Sequence, residues 1–261
     1  MGLFCPLNPP LADWRGQRVW LVGASTGIGA ALAHKLSLRG ARVALSARGR
    51  DRLEALAAEC EGAVVAAMDV TCPGDFVRER ERLLELWGGI DLVILNAGTY
   101  RPLRAWELTP QNIRETVAPN LLGVMDGVAA VVPTMLEQGR GAIAIVASVS
   151  GYGGLPMAAA YGPSKAALIN FAETLHLDLA PRGLGVFLIC PGFVATPLTA
   201  QNDFHMPALI SAEEAADEIL AGLAQGAFEI HFPKRFSRFL KLLQWLPRRF
   251  YFPLIRRATG L

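Results

Sequence analysis

Tyr161 and Lys165 stand four residues apart at the start of a strongly helical run, so a phenol and an ammonium share one helix face. A phenol titrates at about 10 and is a poor base at neutral pH. A neighbouring cation favours the phenolate and moves the group toward a range where it exchanges a proton with a substrate oxygen. Upstream, the apolar run Gly141–Ala147 ends at Ser148. At the carboxyl end of a parallel strand, where ligand crevices form, that hydroxyl would reach the same oxygen. A Tyr-x-x-x-Lys pair is common in helices, so its meaning depends on the elements that position it.

Those elements alternate. Strands are expected at Arg18–Val22, Ala41–Ser46, Ala63–Met68, Leu92–Leu95, Gly141–Ala147 and Gly185–Cys190. Helical patterns such as Gly29–Arg39, Asp51–Cys60, Pro73–Trp87, Gln111–Glu137 and Ala158–Ala180 lie between them. Strands that are apolar throughout, each followed by a helix, indicate a parallel sheet covered on both faces. The class is therefore α/β, a doubly wound parallel sheet of the Rossmann type, in one domain over residues 12–232. A basic, amphipathic extension, 233–261, follows it. The run Arg78-Glu79-Arg80-Glu81-Arg82 reads as a solvated helix face.

The first strand runs into Gly23-Ala24-Ser25-Thr26-Gly27-Ile28-Gly29 and then a helix. Missing Cβ atoms let this backbone approach a pyrophosphate at a helix N-terminus, and Ser25 and Thr26 add hydroxyl donors. The turn is longer than the G-x-G-x-x-G spacing, since position 32 is Leu. A site that prefers NAD usually offers an acid after the second strand. Here that strand leads to Arg48 and Arg50 with no carboxylate, and a guanidinium at Arg48 suits a 2′-phosphate, so NADP(H) is favoured over NAD(H).

With these pieces in order, the chain resembles the short-chain dehydrogenase/reductase family, in its compact single-domain branch, from about Gly16 to Ile230. The matching motifs are the glycine turn, Asp69-Val70, Asn96-Ala97-Gly98, Asn120, Ser148, Tyr161-Gly162-Pro163-Ser164-Lys165, and Pro191-Gly192-Phe193-Val194-Ala195-Thr196. The resemblance implies Tyr161 as acid/base and Ser148 as the group that orients and polarises a carbonyl. It implies that Lys165 holds the nicotinamide ribose and depresses the tyrosine pKa, and that Asn120 anchors a water linking Lys165 to solvent. Asp69 and Val70 would contact adenine, while Asn96, with Ala97 and Gly98, would support the sheet and cofactor. Thr196 would reach the carboxamide from a motif whose Pro191, Gly192 and Val194 also line the cofactor. Val22 stands where the family often has threonine, and Pro163 requires the helix to begin near Ala159–Tyr161. The family usually forms dimers or tetramers, so a homo-oligomer is expected.

The implied reaction is hydride transfer between NADPH and an apolar ketone or aldehyde, with lipid-derived substrates included. Alcohol oxidation by the same residues, and a non-catalytic dinucleotide sensor or scaffold, are the alternatives. Tyr152, Phe204 and Met206 are the candidate substrate contacts, with His205 a lesser one. The four cysteines show no C-x-x-C spacing, which argues against zinc and fits a reducing, cytoplasmic setting. No basic leader precedes an apolar run, and no stretch of about 18 uncharged apolar residues occurs, so neither a secretory signal nor a spanning helix is expected.

The net charge of +2 conceals an asymmetry: residues 232–261 hold eight Lys or Arg and no acid. Apolar residues at 236, 239, 240, 243 and 246 make an amphipathic helix that Pro247 stops, and a second aromatic–basic segment follows. Two readings stand for this tail: peripheral contact with an anionic membrane, or a cover over the active site or a partner subunit. A nucleic-acid role is disfavoured because the charge is confined to the tail without a binding motif.

Overall fold

The computed structural model describes residues 5–202 and 206–260. Seven parallel strands form one sheet in the order β3-β2-β1-β4-β5-β6-β7. They are β1 (Arg18–Val22), β2 (Arg42–Ser46), β3 (Val64–Val65), β4 (Leu92–Leu95), β5 (Gly141–Val146), β6 (Leu184–Pro191) and β7 (Glu229–Phe232). The chain runs outward from β1 to β3, then returns to place β4 on the other side of β1. That reversal opens a crevice at the strands' carboxyl ends, where dinucleotides bind in such sheets.

Strand side chains alternate between two apolar layers. Val19 and Leu21 of β1 face one layer with Leu32, Leu36, Leu53 and Ile219. Trp20 and Val22 face the other with Phe76, Leu83, Val131 and Leu168. The first layer is closed by α1 (Gly27–Leu38), α2 (Arg50–Glu59) and α7 (Ala212–Ala224). The second is closed by α3 (Pro73–Trp87), α5 (Gly123–Gln138) and α6 (Tyr161–Leu179). Both strand faces are buried, which explains why these strands read as continuous apolar runs.

The expected third strand, Ala63–Met68, is regular only over Val64–Val65. Its edge pairing nevertheless continues, with the Ala66 and Met68 amides donating to Leu45 and Ala47 carbonyls at 2.9 and 3.1 Å. The expected helix Gln111–Glu137 is divided into α4 (Pro110–Val117), a π-helical turn Ala118–Leu122, and α5. By length and composition residues 110–138 could cross a bilayer, which the sequence reading did not anticipate. Here Asn120, Val124, Val128, Val131 and Met135 of that run are buried against the domain.

Arg18 and Asp91 tie β1 to the turn before β4. The guanidinium donates to both carboxylate oxygens, at 2.8 and 2.6 Å, from largely buried positions. Burial alone would raise the Asp91 pKa; the hydrogen bonds from Arg18 outweigh it and hold the carboxyl below its ordinary value. Asp91→Asn is expected to cost about 2 kcal/mol by leaving Arg18 without its counter-charge. Because the folded pKa is depressed, the wild-type advantage is complete above about pH 4 and fades as pH falls through the lowered value. Urea denaturation of both proteins at neutral and acidic pH checks this: a gap that persists undiminished in acid would refute it.

Candidate active site

The turn after β1 lies flush against its surroundings. Gly23 has φ +87°, and a Cβ there would overlap the Ala97 backbone. A Cβ on Gly29 would overlap the Gly23 carbonyl, and one on Gly27, at φ +57°, would lie 2.7 Å from the Thr196 methyl. Asn96 fixes the turn from β4, its amide donating to the Gly23 carbonyl at 2.8 Å. Thr26 caps α1 with extended backbone but makes no side-chain cap bond, so the first helical N–H groups face outward uncapped. They open on a cleft of about 910 Å³.

Of the sequence-derived cofactor residues, Gly23, Ser25, Thr26, Gly27, Ile28, Arg48, Asp69, Val70, Asn96, Ala97, Gly98 and Thr196 line this cleft. Gly29, Tyr161, Lys165, Pro191, Gly192 and Val194 do not. Gly29 allows the turn to close, and the Gly192 amide donates to the Phe232 carbonyl at 2.7 Å. Arg52 joins Arg48 in the wall, whereas Arg50 points elsewhere and pairs with Glu54 at 3.6 Å. Sequence reasoning missed Arg52, although its i+4 spacing from Arg48 across the first turn of α2 was available. One Asp69 carboxylate oxygen accepts from the amide and hydroxyl of Thr71, at 2.9 and 2.8 Å, and so stabilises its own turn.

The chemistry-bearing side chains are not part of the cleft wall but adjoin it. Tyr161 packs on Tyr100, and Asn120 and Lys165 lie close to Gly98, Tyr100 and Gly98 both being wall residues. Ser148 caps the 3-10 turn Val149–Gly151, accepting from the Ser150 amide at 3.2 Å, and its hydroxyl faces the Pro191 carbonyl at 3.4 Å. Tyr161 starts α6, with Pro163 tolerated in the first turn where its missing N–H breaks no ladder bond. The Tyr161 ring packs edge-on against Tyr100, 4.9 Å between centroids. Burial pushes the Tyr161 phenol up to about 12, against a lowering hydrogen bond from Ser148. Lys165 is buried, donates to the Val146 carbonyl at 2.9 Å, and lies 5.7 Å from the Tyr161 ring centroid. Desolvation holds its ammonium down at about 8.

Burial is the largest influence on the Tyr161 phenol and the Ser148 hydrogen bond opposes it, while Lys165 gives a hydrogen bond to the Val146 carbonyl. Asn120, fully buried in the π turn, uses its side-chain amide on the Thr99 main chain, accepting from N–H at 2.7 Å and donating to C=O at 2.8 Å. Gly98 lets Asn120 and Lys165 approach: a Cβ there would be 3.1 Å from Asn120 Oδ1 and 3.7 Å from Lys165 Nζ.

The substrate side departs from the sequence reading. Tyr152 is buried away from the cleft, its hydroxyl donating to the Glu229 carboxylate. Lys241 pairs with the other oxygen of Glu229, and burial beside that carboxylate raises the Tyr152 phenol well above its usual range. Met206 accepts from the Asn202 amide at 3.3 Å and does not line the cleft. Phe204 and His205 lie outside the described residues. Leu198 and Gln201 do line it, and Gln201 ties this loop to the Tyr100 carbonyl at 2.7 Å. No group of His, Cys, Asp and Glu among the described residues is arranged to hold a metal.

A glycine cradle, outward N–H groups, cationic walls and a Ser–Tyr–Lys set define a dinucleotide-dependent oxidoreductase. Comparison with known proteins agrees. Residues 17–206 match the family model described as short chain dehydrogenase. An uncharacterized oxidoreductase of Myxococcus xanthus is 36% identical over 252 residues, covering 95% of this chain and 99% of that protein. A putative ketoacyl reductase of Streptomyces coelicolor is 36% identical over 216 residues, 80% of this chain and 83% of the relative. A short-chain dehydrogenase from Sphingobium yanoikuyae, solved in complex with NADPH, superposes with a TM-score of 0.78 at 28% identity, covering 87% of this chain and 92% of its own. The chain belongs to the short-chain dehydrogenase/reductase family and is an NAD(P)-dependent oxidoreductase. A nicotinamide dinucleotide, held by the Gly23–Gly29 turn and the cleft wall, would supply or take the hydride, leaving substrate orientation and proton transfer to the protein's side chains.

Proposed function

We propose that this enzyme is an NADP(H)-dependent carbonyl reductase acting in the cytoplasm on an apolar ketone or aldehyde. The observation that carries the reading is the grouping of Tyr161 with Ser148 and Lys165. Burial raises the Tyr161 phenol, which is therefore protonated at neutral pH, as a donor to a carbonyl must be. An alkoxide is a far stronger base than a phenolate, so proton delivery to a newly reduced carbonyl oxygen is downhill. Ser148 would donate to that oxygen and hold the carbonyl against the Tyr161 hydroxyl. Lys165, charged below about pH 8, would stabilise the negative charge left on Tyr161.

Arg48 and Arg52 support NADP(H), since neither is paired with a carboxylate among the described residues and both line the cleft. An apolar substrate is supported by Tyr100, Pro119, Pro197 and Leu198 in the cleft wall. The ketoacyl reductase assignment of the Streptomyces coelicolor relative points to the same bond type. All four cysteines are free, as suits a reducing compartment.

NADPH consumption against ketones and aldehydes graded from short and polar to long-chain acyl tests the reading. Catalytic efficiency is expected to rise with chain length and to exceed that with NADH. No turnover on any member despite tight NADPH binding would replace it with a dinucleotide sensor.

A further inference from the structure

The tail resolves into two helices with two-sided character. Helix α8 (Lys234–Gln244) and α9 (Arg248–Thr259) turn Leu240, Leu243, Tyr251 and Ile255 into the domain. Tyr251 donates to the Gly154 carbonyl at 2.9 Å, and Lys241 and Gln244 hold Glu229 and the Tyr152 carbonyl. The inner faces therefore do cover the segment that follows Ser148. The outer faces remain in water, and their composition is unusual.

Of seventeen large apolar side chains exposed among the described residues, six lie here: Phe239, Leu242, Trp245, Phe250, Phe252 and Leu254. Trp245 is 86% and Leu242 66% exposed. On α8 they alternate with Arg235 and Arg238 over one arc of the helix, and on α9 with Arg249, Arg256 and Arg257. Apart from Lys241, no cation of the tail forms an ion pair among the described residues, and no acid follows Glu229.

We propose that the outer face of α8–α9 docks on an anionic lipid surface, with the six apolar side chains in the interface and the arginines at headgroup level. The inference is independent of the reductase reading. Aromatic and aliphatic side chains interleaved with cations on helices lying flat match the interfacial boundary between acyl chains and charged headgroups. Six exposed large apolar side chains gathered on two adjacent helices are otherwise a liability in water. A second copy packed symmetrically on this face would oppose like charges without an acid to relieve them. Nucleic acid would find the cations useful but nothing to bind at Leu242 or Leu254. Because the inner faces grip the Tyr152 and Gly154 carbonyls, docking would tie the lipid surface to the segment that follows Ser148.

The test is co-sedimentation of the full chain with vesicles of phosphatidylcholine alone or mixed with phosphatidylserine, at low and high salt. Binding to the anionic vesicles is expected to be at least tenfold tighter than to neutral ones and to weaken as salt screens it. Trp245 emission should shift to the blue on binding, a change that Trp245→Phe removes while leaving affinity within a few-fold. Arg238→Glu with Arg249→Glu should weaken anionic-vesicle binding at least tenfold while NADPH affinity and melting temperature stay unchanged. Equal binding to both vesicle types, or none to either, would overturn the proposal. So would tight binding to a single-stranded oligonucleotide in place of vesicles, or a dimer that the Arg238→Glu, Arg249→Glu variant dissociates.

Discussion

Tyr161→Phe is expected to lower kcat for carbonyl reduction about a thousandfold and to leave NADPH affinity within a few-fold of wild type. The ring remains, so its edge-on packing with Tyr100 survives and α6 keeps its start. Only the hydroxyl is lost, and with it both the proton donor and the partner of Ser148. The wild-type pH profile is a second reading of the same geometry. Tyr161 stays protonated to about 12, whereas Lys165 loses its proton near 8. The Lys165 pKa is depressed, so its charge is present below that value and absent above it. Reductive kcat/KM should therefore be flat in the neutral range and fall above about pH 8, through Lys165 and not through Tyr161. Steady-state rates across pH, with dinucleotide affinity from fluorescence titration, check both claims. A variant retaining a tenth of wild-type activity would mean that the proton comes from another group. A matching loss of NADPH affinity would make Tyr161 a wall of the cofactor site and no more.

Most of the sheet was legible because a strand buried on both faces is apolar along its run, as in Val19–Val22 of β1, β4 and β5. β7 escaped notice: Glu229-Ile230-His231-Phe232 is four residues at the sheet edge, with only Ile230 and Phe232 buried. α9 was read as an aromatic–basic segment because Pro253 interrupts its pattern, yet the helix continues through it. Of the tail's two readings the structure bears on the cover alone, whose inner face packs on the segment after Ser148; an amphipathic pattern shows that one face is covered without showing by what.

The site was legible where chemistry depends on order along the chain and illegible where it depends on packing. Glycine spacing gave the turn, and the i, i+4 rule put Tyr161 and Lys165 on one face. The same rule carries no information on desolvation, which is the largest influence on both groups. Tyr152 follows Ser148 closely and is apolar enough to suggest a substrate wall. Its partner Glu229 lies 77 residues away, and no local pattern reveals that pairing. Asn120 carried little signal alone; its significance comes from the π turn, which aims its amide at Thr99.

Removing both guanidinium groups at the cleft, as Arg48→Ala with Arg52→Ala, is expected to raise the NADPH KM about a hundredfold and change the NADH KM less than threefold. The two cofactors differ only in the phosphate on the adenosine ribose, so groups that hold that phosphate affect one and not the other. A charge-assisted hydrogen bond is worth about 1.5–3 kcal/mol, and at a half-open wall the lower end applies to each arginine. Two such contacts give roughly two orders of magnitude. Arg50→Ala supplies the control: it lies between the two in sequence, pairs with Glu54, and is absent from the cleft wall. It should leave both KM values unchanged, separating recognition of the phosphate from the general positive field at the start of α2. High salt should weaken NADPH binding in the wild type more than in the double variant. Should the double variant lose NADPH and NADH affinity alike, the arginines would be serving the shared pyrophosphate or the fold of α2. The preference for NADP(H) would then have to come from the Gly23–Gly29 turn or from residues around Asp69.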